Sequence, residues 1–142
     1  MRLVLDTNVL ISAFISRGLC SEILEHCAKN HELVTSEPII TELRQKLLTK
    51  FRIPPPAVEN AVAALFAGME VVNPSVLAGR VSRDPDDDVV IATALGGHCG
   101  AVITGDADLL VLNEYGGVRF VSPRAFRELE NAQTADPRSP LI

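Results

Sequence analysis

The feature that most restricts what this chain can fold into is the alternation of short apolar β-type runs with longer stretches of helical period. Residues 3–5, 33–35, 71–72, 101–104 and 118–121 read as five strands. Most are apolar on both faces, as in a parallel sheet covered by helices. Between them, 21–30 carries Ile23, Leu24 and Cys27 at helical spacing, 38–50 repeats Ile39, Ile40, Leu43 and Leu47, and 57–67 repeats Val58, Ala61, Val62 and Leu65. Pro54-Pro55-Pro56 separates the last two. A further helix is predicted to open at Asp84-Pro85, with Asp84 as N-cap and proline in the first turn, and to close at Gly96-Gly97. Ser122-Pro123 opens the final helix in the same way. Elements in this order imply right-handed crossovers and a doubly wound α/β sheet, whose sites lie at the carboxyl ends of the strands.

A chain of 142 residues, nearly half of them apolar, supports one hydrophobic core. We expect a single domain over 1–130 and a flexible tail over 131–142, where Gln133, Thr134, Asp136, Pro137 and Ser139 give neither period nor apolar content. No targeting segment is visible at Met1-Arg2-Leu3. No apolar run approaches the roughly 20 residues that cross a bilayer. A cytoplasmic protein with no membrane partner is the expectation. Cys20, Cys27 and Cys99 are odd in number and lack CxxC spacing, which fits reduced, buried thiols. The grouping Cys20, His26, Cys27, His31 lacks the paired spacing of zinc frameworks and reads as helix packing.

Four acids fall where an α/β sheet builds its site. Asp6 follows the first strand, Glu42 lies early in the helix after the second, Asp106 follows the fourth, and Asp88 lies in the first turn of the helix that enters the fourth. Singly, each has an ordinary explanation. Asp6 and Asp106 can cap helices, Glu42 can pair with Lys46 four residues on, and Asp86, Asp87 and Asp88 sit where a helix dipole favours negative charge. Jointly they pose a problem, because carboxylates a few ångströms apart cannot all stay ionised without protons or cations. Oxygen-rich pockets of this kind suit one or two Mg²⁺ or Mn²⁺ ions. With no Ser/His or Cys/His pairing near these motifs, and His26, His31 and His98 outside them, the chemistry implied is hydrolysis by a metal-activated water. The formal charge of −5 does not exclude a nucleic-acid substrate, since acids held against metal account for most of it.

The runs Leu5-Asp6-Thr7-Asn8-Val9-Leu10, Asp88-Val89-Val90-Ile91-Ala92-Thr93-Ala94 and Ile103-Thr104-Gly105-Asp106-Ala107-Asp108-Leu109, with Glu42 between the first two, resemble the ordered motifs of PIN-domain ribonucleases. The likeness spans about residues 1–127 and is strongest to the branch of VapC-like toxins of toxin–antitoxin pairs. The resemblance implies a three-layer α/β/α fold around a mostly parallel five-stranded sheet. It also implies Mg²⁺- or Mn²⁺-dependent endonuclease action on RNA, leaving 5′-phosphate and 3′-hydroxyl ends. Asp6, Glu42, Asp88 and Asp106 match the family's four acidic positions, and Asn8 and Thr104 match polar positions that steady the metal ligands. Asp108 stands either as a holder of metal-bound water or as a first-turn helix acid. Asp88 directly precedes the Val-Val-Ile-Ala run where the family places its acid, with Asp87 as second candidate. A homodimer and a cognate antitoxin follow by the same analogy.

Arg44, Lys46, Lys50 and Arg52 concentrate around the helix of Glu42 and offer a track for an RNA backbone, or simply a solvated helix face. With no Trp and a single Tyr, Tyr115, the chain has no evident stacking platform for bases. Gly96-Gly97-His98-Cys99-Gly100 follows a helix and lacks a Walker lysine, so it reads as helix termination. Two other readings differ in class. One is a PIN-like module that holds metal or a partner without turnover. The other is a phosphate-accepting receiver domain, which needs paired acids after the first strand and a lysine after the last, where this chain has Asp6 and Ser122-Pro123.

Overall fold

The computed structural model describes residues 1–135. The elements run β1 (Arg2–Leu5), α1 (Thr7–Ile15), α2 (Leu19–Asn30), β2 (Glu32–Thr35), α3 (Glu37–Thr49), α4 (Pro55–Phe66), β3 (Glu70–Val71), α5 (Pro85–Gly96), β4 (Ala101–Ile103), α6 (Ala107–Leu110), β5 (Glu114–Tyr115), β6 (Val118–Val121) and α7 (Pro123–Ala135). The strand order is β3-β2-β1-β4-β6-β5, parallel throughout except for the β5–β6 pair. From β1 the chain winds to one edge through β2 and β3, then returns to β4 on the other side of β1. The point where the winding reverses therefore lies between β1 and β4, the crevice where doubly wound sheets open a site.

Leu3, Val4 and Leu5 of β1 and Val102 and Ile103 of β4 are buried, so the central strands are covered on both faces. On one face α1 packs on α2 and α3, α3 packs on α4, and α7 packs on α2. On the other, α5 lies across β1, β2, β4 and β6. This is the three-layer α/β/α arrangement that the sequence predicts. Among the described residues no helix is long and apolar enough to cross a membrane.

Three details depart from the expectation. The sheet has six strands rather than five, because Glu114-Tyr115 pairs antiparallel with β6 through a two-residue turn. Gly116 (φ 58°) and Gly117 (φ 84°) both adopt the left-handed region that such a primed hairpin turn demands. A two-residue strand is too short to show a period of its own. Second, α7 continues through Asn131 to Ala135, past the expected start of the tail at 131. The rest of that tail, 136–142, lies outside the described residues. Third, Gly96 does more than stop a helix. A Cβ there would come within 2.1 Å of the Asn73 carbonyl oxygen, because segment 73–75 runs against the end of α5 and Ser75 N–H donates to Ala92 O.

Candidate metal centre

Asp6 sits at the end of β1 and caps α1. Its Oδ1 accepts the Thr7 N–H at 2.8 Å and its Oδ2 accepts the Thr104 hydroxyl at 2.7 Å. Only 6% of the residue is exposed. Burial pushes its carboxyl above the usual carboxylate range; the Thr104 and Thr7 bonds pull the other way, and the charges of Glu42 and Asp106 add to the rise. Asp6 thus lies in the field of two other acids, each brought by a different element.

Asp106 follows β4, separated from it by Thr104 and Gly105, and caps α6 by accepting the Asp108 N–H at 2.8 Å. Its own N–H donates to Thr104 Oγ1 at 3.0 Å. Glu42, in the second turn of α3, accepts the Thr7 hydroxyl at 3.1 Å and pairs with Lys46 at 2.9 Å. Lys46 also donates to Asn8 Oδ1 at 3.2 Å. The i,i+4 pair that the sequence offers as an ordinary surface contact is present, and it stands beside the acidic cluster.

The two acids that the sequence offers for the fourth position, Asp88 first and Asp87 second, point to different groups. Asp87, not Asp88, is the acid of the first turn of α5 that reaches the cluster. Asp84, Asp87 and Asp106 each present a carboxylate oxygen within 4.8 Å of the other two. Asp87 is buried, accepts the Ser82 hydroxyl at 3.0 Å, and is pushed up to about 7. Burial is the main cause, and the neighbouring Asp106 and Asp84 add to it. The Asp88 carboxylate is instead taken by the backbone N–H groups of Val81 and Ser82, the latter at 2.7 Å. One residue on a helix turns a side chain by about 100°, and here Asp87 takes the Ser82 hydroxyl while Asp88 takes the Ser82 backbone N–H. Asp88 shapes the loop that supplies Ser82, and Ser82 in turn holds Asp87.

Asp108 gives its backbone N–H to Asp106 and lies half-buried in α6. Asn8 is exposed and reaches the cluster through Lys46. Of the expected basic track, Lys46 alone contacts a cluster acid. Arg44 is paired with Glu59 of α4 at 2.8 Å, Lys50 lies over the Phe51 ring, and exposed Arg52 adopts a left-handed backbone. Sequence reasoning missed Thr7 and Ser82, whose hydroxyls hold Glu42 and Asp87, and treated Asp84 only as a cap. Thr7 lies inside the Asp-Thr-Asn motif, which was a signal; Ser82 stands in a loop without pattern and offered none.

Residues 2–108 match the PIN domain, a span that contains every acid of the cluster. The chain belongs to the PIN domain family. Solved structures similar to this PIN domain include VapBC2 from Rickettsia felis bound to a DNA fragment from its promoter (13% identity, 86% of this chain and 98% of that one, TM-score 0.64). VapBC-1 from nontypeable Haemophilus influenzae is similar at 18% identity, 87% and 99% coverage and TM-score 0.63. FitAB bound to an IR36 DNA fragment is similar at 17% identity, 85% and 94% coverage and TM-score 0.57. No curated protein matches the chain. Identities this low establish a shared fold and leave the chemistry to be argued from the residues.

Proposed function

We propose that this PIN domain is a metal-dependent endoribonuclease and the toxin of a toxin–antitoxin pair. PIN domains are generally nucleases that use divalent metals. The observation that carries the reading for this chain is the convergence of Asp6, Glu42, Asp106 and the α5 pair Asp84 and Asp87, from four segments, on one strand-end crevice. A donor set made of carboxylate oxygens, with Thr and Ser hydroxyls holding them, fits Mg²⁺ or Mn²⁺ and does not fit softer metals. The Asp87 carboxyl is pushed up first by burial and then by Asp106 and Asp84, and a cation bound among these acids would relieve the part that comes from repulsion.

In this reading Asp6, Asp87 and Asp106 hold the metal, one ion or two, with Glu42 and Asp84 completing the acidic rim. When bound, divalent metal supplies a water of lowered pKa and charge to steady the leaving oxygen. The protein's own part is positioning. Thr104 fixes Asp6 and Asp106 relative to each other, Ser82 fixes Asp87, and Thr7 fixes Glu42. Lys46 sits at the edge of the cluster, where an RNA phosphate can draw its ammonium away from Glu42. Arg80 and Arg83, both exposed, flank the buried Ser82 and add positive charge next to the loop that holds Asp87. The toxin role with an antitoxin partner rests on the likeness to the VapBC and FitAB folds over nearly the whole of those chains, and the homodimer and cytoplasmic location are expectations carried over from the sequence.

The deciding experiment incubates purified protein with a mixed RNA pool in Mn²⁺ or Mg²⁺ and maps the new ends. Cleavage leaving 5′-phosphates, abolished by chelator and reduced more than about 100-fold in Asp6→Asn and Asp87→Asn, supports the enzyme reading. No cleavage by wild type, or equal cleavage by Asp6→Asn, replaces it with a binding module.

A further inference from the structure

At the other end of the sheet, two histidines and a carboxylate converge. His26 lies near the end of α2, and His31 is its C-cap, with extended backbone leading into β2. Glu130 belongs to α7, about a hundred residues later in the chain. Its Oε1 accepts from His26 Nε2 at 2.9 Å and also from His31 Nε2. The three ligand atoms lie within 4.8 Å of one another. His31 and Glu130 are mostly buried and His26 is partly open to solvent.

We propose that His26, His31 and Glu130 form a zinc-class transition-metal site, separate from the acidic centre, that clasps α7 to α2.

The chemistry of the donor set is the first argument. Two imidazoles and one carboxylate are ligands for Zn²⁺ and neighbouring first-row ions, and ill suited to Mg²⁺, whereas the acidic centre offers only oxygen. Metal bonds of about 2.0–2.1 Å in a tetrahedral arrangement hold ligand atoms somewhat over 3 Å apart, so the Glu130 carboxylate has to draw back from His26 Nε2, now at 2.9 Å, and from the nearer His31 Nε2 to admit an ion. The two rings are tilted 59° to each other with centroids 5.7 Å apart, which lets both Nε2 atoms aim at one point. Neither ring is stacked flat on the other.

The surroundings are the second argument. Phe126, one turn before Glu130 on the same face of α7, sets its ring edgewise to both imidazoles and forms an apolar wall. A shallow cavity lined by Ile23, His26, Phe126 and Glu130 leaves one side open, where water or a fourth ligand can complete the coordination. The Asn30 Nδ2 lies 3.3 Å from His26 Nδ1 and donates to the His26 carbonyl oxygen at 2.9 Å, which ties the end of α2 beside the ring. His26 and His31 belong to the grouping that the sequence offers as a zinc candidate and then discounts on spacing. The structure keeps the histidines and exchanges the cysteines. Cys27 is buried in the core, and Glu130 from the far end of the chain takes its place.

The test strips the full chain with chelator and titrates it with Zn²⁺ against a chromophoric zinc indicator, in millimolar Mg²⁺ to occupy the acidic centre. Wild type and Asp87→Asn are expected to take up one equivalent at micromolar or tighter affinity. His31→Gln and Glu130→Gln should lose at least 100-fold, and His26→Gln, at the most exposed of the three positions, serves should either of those fail to fold. Co²⁺ should give visible absorption bands in wild type that vanish in His26→Gln. Zinc should also raise the melting temperature of wild type and not of His26→Gln. Uptake weaker than about 10 µM, or uptake that the three substitutions leave unchanged, overturns the site and leaves a hydrogen-bonded latch.

Discussion

The Thr104 hydroxyl donates to Asp6 Oδ2 at 2.7 Å, and the same oxygen accepts the Asp106 N–H at 3.0 Å. One buried side chain therefore spans the crevice between β1 and β4 and sets the spacing of two acids that repel each other. Thr104→Val keeps the shape and removes both bonds. We expect kcat to fall about 10–100-fold, as for groups that orient metal ligands, and stability to fall by about 1–3 kcal/mol because a buried acceptor on Asp6 loses its donor. Thr104→Ser should recover most of both. Steady-state cleavage and urea unfolding of the two variants check this, and an unchanged kcat in Thr104→Val would remove Thr104 from the site.

Asp87 makes the metal-free protein sensitive to pH. Its carboxyl is pushed up to about 7 by burial and by Asp106 and Asp84, well above the value of about 3.9 in an unfolded chain. A raised acid favours the folded state while it keeps its proton. That contribution is whole below about pH 4 and is lost as pH rises through 7. In chelator, Asp87→Asn should therefore match wild type at pH 4 and exceed it at pH 8 by about 1–2 kcal/mol, roughly 3–6 °C in Tm. Activity should be lost in the same variant. A Tm at pH 8 below that of wild type would contradict the raised carboxyl.

The sequence already shows the sheet, the crevice and the motif acids Asp6, Glu42 and Asp106, because each follows directly from a strand end or an early helix turn. It does not separate Asp87 from Asp88. That choice depends on which way α5 faces, and the helix is apolar around much of its circumference, with Val90, Ile91, Ala92 and Ala94 all buried. The run that directly follows the acids therefore fixes no helical phase. The loop before α5 decides it, by placing the Val81 and Ser82 amides on Asp88. Glu130 was invisible for a different reason: its partners His26 and His31 lie about a hundred residues away, and no local pattern registers such a contact.

Asp88 is expected to act through the loop rather than through metal. Asp88→Ala removes the acceptor for the Val81 and Ser82 N–H groups and should cost about 1–2 kcal/mol, as for loss of a capping carboxylate. With the loop loosened, Ser82 holds Asp87 less firmly, so the Mn²⁺ concentration for half-maximal rate should rise while kcat at saturating metal falls less than tenfold. Metal titrations of cleavage by Asp88→Ala and Asp87→Asn side by side distinguish the two roles. A hundredfold loss of kcat in Asp88→Ala at saturating Mn²⁺ would return Asp88 to the metal.

Arg80 and Arg83 bear on how this acidic chain would meet the RNA proposed as its substrate. The chain carries a net −5, and most of the basic side chains expected to line the path have other partners or stand away from the cluster. Arg80 and Arg83 flank Ser82, whose hydroxyl bonds to Asp87, so their backbone lies within a few residues of the cluster by construction. Each phosphate contact to a single strand contributes about −0.7 to the slope of log affinity against log salt concentration. Arg80→Gln/Arg83→Gln should therefore raise KM for RNA several-fold, leave kcat within about twofold, and flatten the salt dependence of KM by roughly one unit of slope. Lys46→Gln should also raise KM, but it removes the partner of Glu42 and so should shift the metal requirement as well. Measuring KM between low and moderate salt for both variants separates a contact that only binds phosphate from one that also tunes the acids. An unchanged salt slope in the double arginine variant would place the RNA path elsewhere.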